Sequence, residues 1–263
     1  MSEIIAGCYQ FEVSLGNPQE NLSKVEKALP YFAEQGCNLL VLPEMWSCGF
    51  FYPHLKAMAE ATPSILSALK GLARRFEMVL VGSLPETDGE SVFNTSYVVD
   101  ASGLVAGAYQ KIHLFTPTGE DDHFKAGETP VVCSTEVGRI GLMICYDLRF
   151  PELARRLALD GAQFLCIPAL WPAARVEHWS LLLRSRALEN QLFVIGCNGF
   201  GGDGTLDFGG ASAVVSPTGQ VLVEAGATEC RLIAGGLRFE AMEAFRKQIP
   251  CFNDRRPGLY NVV

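Results

Sequence analysis

GRIGLMICYDLRFPE, residues 138–152, carries the reading of this chain. An apolar run passes without a break into a polar turn, and Pro151 then stands at a first helical position, so a buried strand leads straight into a helix. Cys145 falls at that junction. Tyr146, next to it, offers a backbone N–H in the turn, where donors at the start of a helix lack intrahelical partners. A thiol held on such a turn is placed as a nucleophile.

The same alternation extends outward in both directions. Downstream come a helix over about 151–160, a strand in QFLCIPAL (163–170), a longer helix over about 175–191, and FVIGCNG (193–199) as a further strand. Hairpin-like strands over 211–237, a short last helix and a tail complete that half. Upstream, EIIAGCYQF (3–11) reads as a first strand, and NPQENLSKVEKALPYFAEQG (17–36) as a helix capped by Asn17, with Pro18 at its first position and Gly36 as its stop. NLLVLPE (38–44) returns as a strand ending at Glu44, and a helix over about 62–76 leads into MVLVGSLPE (78–86). In VFNTSYVVDASGLVAGAYQK (92–111), DASG turns one strand back on the other, so the pair is antiparallel and the sheet is mixed. The pattern is an α/β fold.

Composition narrows the function. With 21 basic against 29 acidic side chains in 263 residues, the net charge of -8 gives no reason to approach nucleic-acid phosphates or an anionic membrane surface. No apolar run approaches the roughly 20 residues that span a bilayer, and MSEIIAGCYQFEV has an acidic residue where a signal peptide carries positive charge, so the expectation is a cytoplasmic protein. Nine cysteines without a CxxC pair argue against a disulfide framework or a zinc cage. The glycine-rich GFGGDGTLDFGG (199–210) lacks the lysine and following helix of a phosphate loop and reads as a mobile surface loop.

Three reactive side chains stand where apolar runs stop, which in open α/β sheets is where ligands bind. They are Glu44, Lys111 and Cys145. Glu44 reads as an exposed turn glutamate or as a buried general base. Lys111 reads as an edge-strand lysine that blocks aggregation, or as the cation for a developing oxyanion. A free thiol ionises near pH ~8.5 and needs an activating base at neutral pH. His54, His113, His123 and His178 are the only histidines, and none sits in a recognisable partner motif, so a glutamate is the expected base.

LPEMW (42–46), YQKIHLF (109–115) and GLMICYDLRFPE (141–152), in that order, resemble the three signature segments of the nitrilase superfamily of carbon-nitrogen hydrolases. GEDDHFKAG (119–127) resembles the segment that carries a second glutamate, here Glu120. HWSLLLRSRALENQLFVIGCNG (178–199) resembles the family's dimer-interface helix and the strand after it, and DRRPGLY (254–260) its C-terminal tail. The similarity covers roughly 4–260.

The resemblance implies a four-layer α-β-β-α sandwich with mixed sheets, one hydrolase domain over 1–263 with a tail from about 248, and a homodimer. It implies a triad of Glu44 as base, Cys145 as nucleophile and Lys111 with the Tyr146 N–H at the oxyanion, needing no metal or cofactor. Glu120 would orient Lys111 or touch substrate. The partners implied are a small amide and water. A WP element (Trp171, Pro172) followed by ARVEHW (174–179) looks most like the ω-amidase branch, whose substrates are 2-oxoglutaramate and 2-oxosuccinamate. Tyr146 stands where true nitrilases carry a tryptophan, which counts against nitrile hydrolysis.

An ω-amide of a dicarboxylate needs a cation for its far carboxylate, and Arg175 is the candidate guanidinium. Trp171 reads as a pocket wall or a core aromatic. Arg149 reads as structural, paired with a local carboxylate, while Trp46, Phe115 and Phe124 read as packing. An amidase for N-carbamoyl or simple aliphatic amides is the alternative. A catalytically silent, thiol-sensing protein on the same fold is the reading from another class. Leu181, Leu182, Leu188 and Leu192 recur at helical spacing as a candidate dimer stripe.

Overall fold

A computed structural model describes residues 4–260 of the chain. Among the described residues its strands form two six-stranded sheets and one separate two-stranded sheet. The first holds, in spatial order, β14 (Cys230–Leu237), β1 (Ile4–Gln10), β2 (Leu39–Val41), β3 (Val79–Thr87), β4 (Val92–Val99) and β5 (Val105–Gln110). Pairs β1–β2 and β2–β3 are parallel and the others antiparallel. The second holds β13 (Val221–Glu224), β12 (Ala213–Val215), β9 (Phe193–Asn198), β8 (Phe164–Ala169), β7 (Gly138–Leu142) and β6 (Val132–Thr135), with β7–β8 and β8–β9 parallel. The mixed sheets and the antiparallel β4–β5 pair agree with the reading of the DASG turn.

The apolar runs in the middle strands are continuous because both faces are buried. In β2 and the residues after it, Leu39 and Val41 point into the core between the sheets, whereas Leu40 and Leu42 point into a second core under helices α1 (Pro18–Glu34) and α2 (Leu55–Phe76). In β3, Val79 and Val81 face the first core and Leu80 the second. Helices α3 (Pro151–Leu159) and α4 (Val176–Asn190) cover the outer face of the second sheet, Leu157 and Leu183 being wholly buried there. This is the four-layer α-β-β-α arrangement. Fully burying a leucine of this kind stabilises the fold by roughly 1.5–3 kcal/mol.

Three elements depart from the sequence reading. Helix α2 begins at Leu55, not near 62, and runs through Pro63. Leu55, Ala59, Thr62, Ile65, Leu69 and Leu72 form one buried stripe across the proline, and that burial outweighs the roughly 3 kcal/mol cost of a proline inside a helix. Strand β14 does not form a hairpin with β13; it crosses to the first sheet and pairs antiparallel with β1, with Gln10 opposite Cys230. β7 ends at Leu142, so Cys145 lies three residues beyond it. After β14 come α5 (Phe239–Gln248) and the short α6 (Cys251–Asp254). Among the described residues no helix is long and apolar enough to cross a membrane.

Candidate active site

Segments leaving strands of both sheets, parallel and antiparallel, supply the site. Beyond β2, the Glu44 N–H donates to the Ala169 carbonyl at the end of β8 (3.3 Å), and the Leu170 N–H donates to Glu44 Oε2 (2.9 Å). These bonds tie the end of one sheet to the end of the other. Lys111 follows β5, and its N–H donates to the Asn94 carbonyl of β4 at 2.9 Å, extending the ladder by one residue. Its ammonium lies 2.8 Å from Glu44 Oε1 and 2.8 Å from each oxygen of Glu120. All three side chains are buried. Burial alone would push the Lys111 ammonium down, but the charges of Glu120 and Glu44 outweigh it and hold it well above its ordinary value. Lys111 is therefore a fixed cation, not a surface lysine guarding an edge.

Glu120 sits in a short helical turn, 120–122, where its Oε2 also accepts the Phe115 N–H at 2.6 Å. Burial raises this carboxyl, against the pull of Lys111. Asn94 completes the cluster, donating from Nδ2 to Glu44 Oε1 (2.8 Å) and Glu120 Oε1 (3.4 Å).

Cys145 opens a tight turn over 145–149 with φ of 45°, the left-handed region that costs a non-glycine residue roughly 1–2 kcal/mol. Asp147 holds the turn in place. This buried carboxylate accepts the Ile144 N–H (2.9 Å), the Tyr109 hydroxyl (2.8 Å) and the His113 N–H (3.1 Å), and lies 2.8 Å from His113 Nδ1. The segment after β5 and the turn after β7 are thus bound to each other through one side chain. Cys145 as a residue is 8% exposed, and it lines a cavity. Burial pushes the thiol well above its ordinary value, Glu44's charge and hydrogen bond add to this, and Lys111 opposes it.

The cavity, about 460 Å³, has Glu44, Lys111, Glu120 and Cys145 at its floor. Its wall is aromatic and cationic. Trp171 is buried among core residues and also faces the cavity, and its indole N–H donates to the Arg175 carbonyl at 2.8 Å. The Arg175 guanidinium lies 5.4 Å from the centre of the Phe115 ring, so Phe115 is a wall residue and not packing alone. Phe124 and Trp46 pack in the core. Arg149 departs from its expectation: it makes no ion pair among the described residues, faces the cavity, and lies 4.7 Å from the centre of the Trp171 ring. A guanidinium on an indole face needs no carboxylate to be held there.

The glycine-rich stretch also differs. It folds as a hairpin of β10 (Phe200–Gly202) and β11 (Asp207–Gly209), and Phe208 bridges to Pro172. Asp203, Thr205 and Leu206 at its tip line the cavity, so it is part of the wall. Sequence reasoning passed over Asn94 entirely. Its signal was Asn94-Thr95-Ser96, three buried polar residues in a row inside an otherwise apolar strand.

A thiol, a carboxylate and an ammonium brought together under an aromatic cavity match the chain's relatives. The carbon-nitrogen hydrolase family matches over residues 5–247, and the chain belongs to that family. The 2-oxoglutaramate amidase of Bacillus subtilis is 36% identical over 258 residues, which covers 96% of this chain and 98% of that one. The solved carbon-nitrogen hydrolase of Helicobacter pylori G27 superposes with a TM-score of 0.93 at 28% identity, covering 99% of this chain and 98% of that one. Saccharomyces cerevisiae Nit3, a member of branch 10 of the nitrilase superfamily, gives 0.89 at 30% identity and 97% coverage of both chains. The protein is accordingly a hydrolase of non-peptide carbon-nitrogen bonds.

Proposed function

We propose that the protein is an ω-amidase that releases ammonia from the ω-amide of a small dicarboxylic or keto acid through a thioester on Cys145. What carries the reading is the convergence of Glu44, Lys111 and Cys145, with Lys111 hydrogen-bonded to Glu44, at the floor of a cavity whose wall holds two guanidinium groups. The similarity to a 2-oxoglutaramate amidase supports the substrate class.

The sulfur attacks the amide carbon while Glu44 takes the thiol proton, forming the C–S bond and a tetrahedral oxyanion. Lys111 and the Tyr146 N–H stabilise that oxygen. The intermediate collapses with C–N cleavage as Glu44 returns the proton to the departing nitrogen, and ammonia leaves. Water then attacks the thioester, giving its proton to Glu44; the C–S bond breaks and the sulfur recovers a proton from the same carboxyl. Glu120 keeps Lys111 aimed at the reacting oxygen. Arg175 grips the far carboxylate, and Trp171 both walls the pocket and anchors Arg175 through its carbonyl.

Purified enzyme should release ammonia from 2-oxoglutaramate or succinamate much faster than from a nitrile or an N-carbamoyl amino acid, and Cys145→Ala should abolish the reaction. Equal activity in Cys145→Ala would sink the thioester route; a reversed substrate order would remove the ω-amidase assignment alone.

One hydrolase domain accounts for the chain, since its first strand and β14 pair in one sheet. A reducing compartment such as the cytoplasm fits its free cysteines. For a homodimer through α4, Leu181 and Leu188, 62% and 50% exposed, supply an apolar face, while Leu192 is buried in the chain's own core. Sedimentation should return twice the chain mass, and a value near 28.6 kDa would dismiss the dimer.

A further inference from the structure

We propose that Asn94 is a positioning residue of the reaction: a neutral double donor that offsets the surplus negative charge of the Glu44–Lys111–Glu120 cluster while leaving Glu44 free to accept a proton. The inference rests on the reading of Glu44 as the base for Cys145.

The cluster holds two carboxylates against one ammonium, and all three groups are buried. The ammonium spends its donors on three oxygens, two of them Glu120's. The excess charge has to be met by dipoles, because buried charge without partners is costly. Asn94 supplies both of its amide hydrogens, to Glu44 Oε1 at 2.8 Å and Glu120 Oε1 at 3.4 Å, and so bridges two groups of like charge. Its own Oδ1 is buried with no hydrogen-bond partner among the described residues. A flipped amide would turn that oxygen onto the carboxylates, so the network selects the orientation in which both N–H groups face them. An orphaned acceptor is tolerated in order to deliver two donors.

The neutrality of the amide matters as much as its hydrogens. A second cation here would hold Glu44 so firmly as the anion that it could not take the thiol proton. An apolar side chain would leave the surplus charge uncompensated and favour the protonated carboxyl, which cannot act as a base. The charged and titratable groups facing this point are Glu44 after β2, Lys111 after β5, Glu120 in its turn, Cys145 after β7, and Tyr52, whose hydroxyl is pushed up by burial and by the charges of Glu120 and Glu44. Glu86 of the neighbouring β3 binds Thr95 and Gln110 instead.

The test is the pH dependence of kcat/KM for amide hydrolysis in wild type, Asn94→Ala and Asn94→Ser, with folding checked by thermal melting. Losing donors to the anionic carboxylate favours its protonated form, so the acid limb should move to higher pH. The expected displacement is about one to two pH units in Asn94→Ala, so that at a given pH on the acid limb kcat/KM is about 10- to 100-fold lower. Asn94→Ser retains one donor and should fall between. If Asn94→Ala does not fold, the serine variant reads the same displacement alone. Acid limbs that coincide with wild type, at whatever level of activity, overturn the proposal. Turnover surviving in Cys145→Ala would instead remove the reading of Glu44 as base for a Cys145 nucleophile on which it rests, and the two failures are told apart by that control.

Discussion

The floor of the cavity and its wall are built on opposite principles. At the floor, Glu44, Lys111, Glu120 and Asn94 are buried and locked by hydrogen bonds that join segments from both sheets. At the wall, Arg149 and Arg175 are half-buried, lie against the faces of Trp171 and Phe115, and make no ion pair among the described residues. A guanidinium resting on a ring can be drawn toward a carboxylate without breaking a salt bridge. On the proposed mechanism the floor sets what reaction occurs, and the wall sets what is held there to undergo it.

The harshest way to break this contrast is to remove the floor's cation, Lys111. Lys111→Met keeps most of the side-chain volume but leaves two buried carboxylates facing each other. It should cost on the order of 3–5 kcal/mol of stability and lower kcat/KM by about 10⁴-fold or more, read by thermal melting and ammonia release. A variant that melts like wild type would mean the cluster is far wetter than its burial implies.

What was legible in the sequence follows the same division. Glu44, Lys111 and Cys145 were visible because each ends an apolar run, a signal that local pattern carries directly. Arg149 reads as ion-paired because a sequence offers carboxylates as partners for an arginine but does not reveal an indole ring whose centre lies 4.7 Å away. The 199–210 stretch reads as a loop in sequence because its glycines hide a three-residue ladder, and the bridge from Phe208 to Pro172 that carries it to the cavity is a tertiary contact. Asn94 was missed because its partners lie 26 and 50 residues away in the chain. Floor residues on separate strands meet through topology, which periodicity alone does not encode.

A milder cut at the wall should separate binding from chemistry. Arg175→Ala removes a charged donor from the proposed carboxylate grip, worth roughly 1.5–3 kcal/mol. KM for 2-oxoglutaramate should rise on the order of 10- to 100-fold, while a simple aliphatic amide, lacking the carboxylate, should be little affected. Steady-state kinetics on the two substrates checks this. An equal loss on both would place Arg175 with the floor and blur the contrast; no loss on either would hand the grip to Arg149.

The smallest effect concerns thiols that share Cys145's burial but not its neighbours. Burial pushes Cys37 and Cys48 up to about 12, and drives Cys8 and Cys166 well above the ordinary thiol value. Groups whose native value is raised contribute stability that is fully present below the unfolded value, about 8.5, and lost as pH rises toward the native one. Each should withdraw about 1.4 kcal/mol per pH unit across that window, so melting temperature should fall steadily from pH ~8.5 upward under reducing conditions. Replacing Cys37 with alanine should make that decline shallower by one thiol's share. Below pH ~8.5, iodoacetamide should label Cys145, which has Glu44 to take its proton, and the exposed Cys251, while sparing these four. Labelling of Cys37 or Cys166 in the native protein at neutral pH would show that burial alone does not silence a thiol here, and that Cys145 is less set apart than its carboxylate neighbour implies.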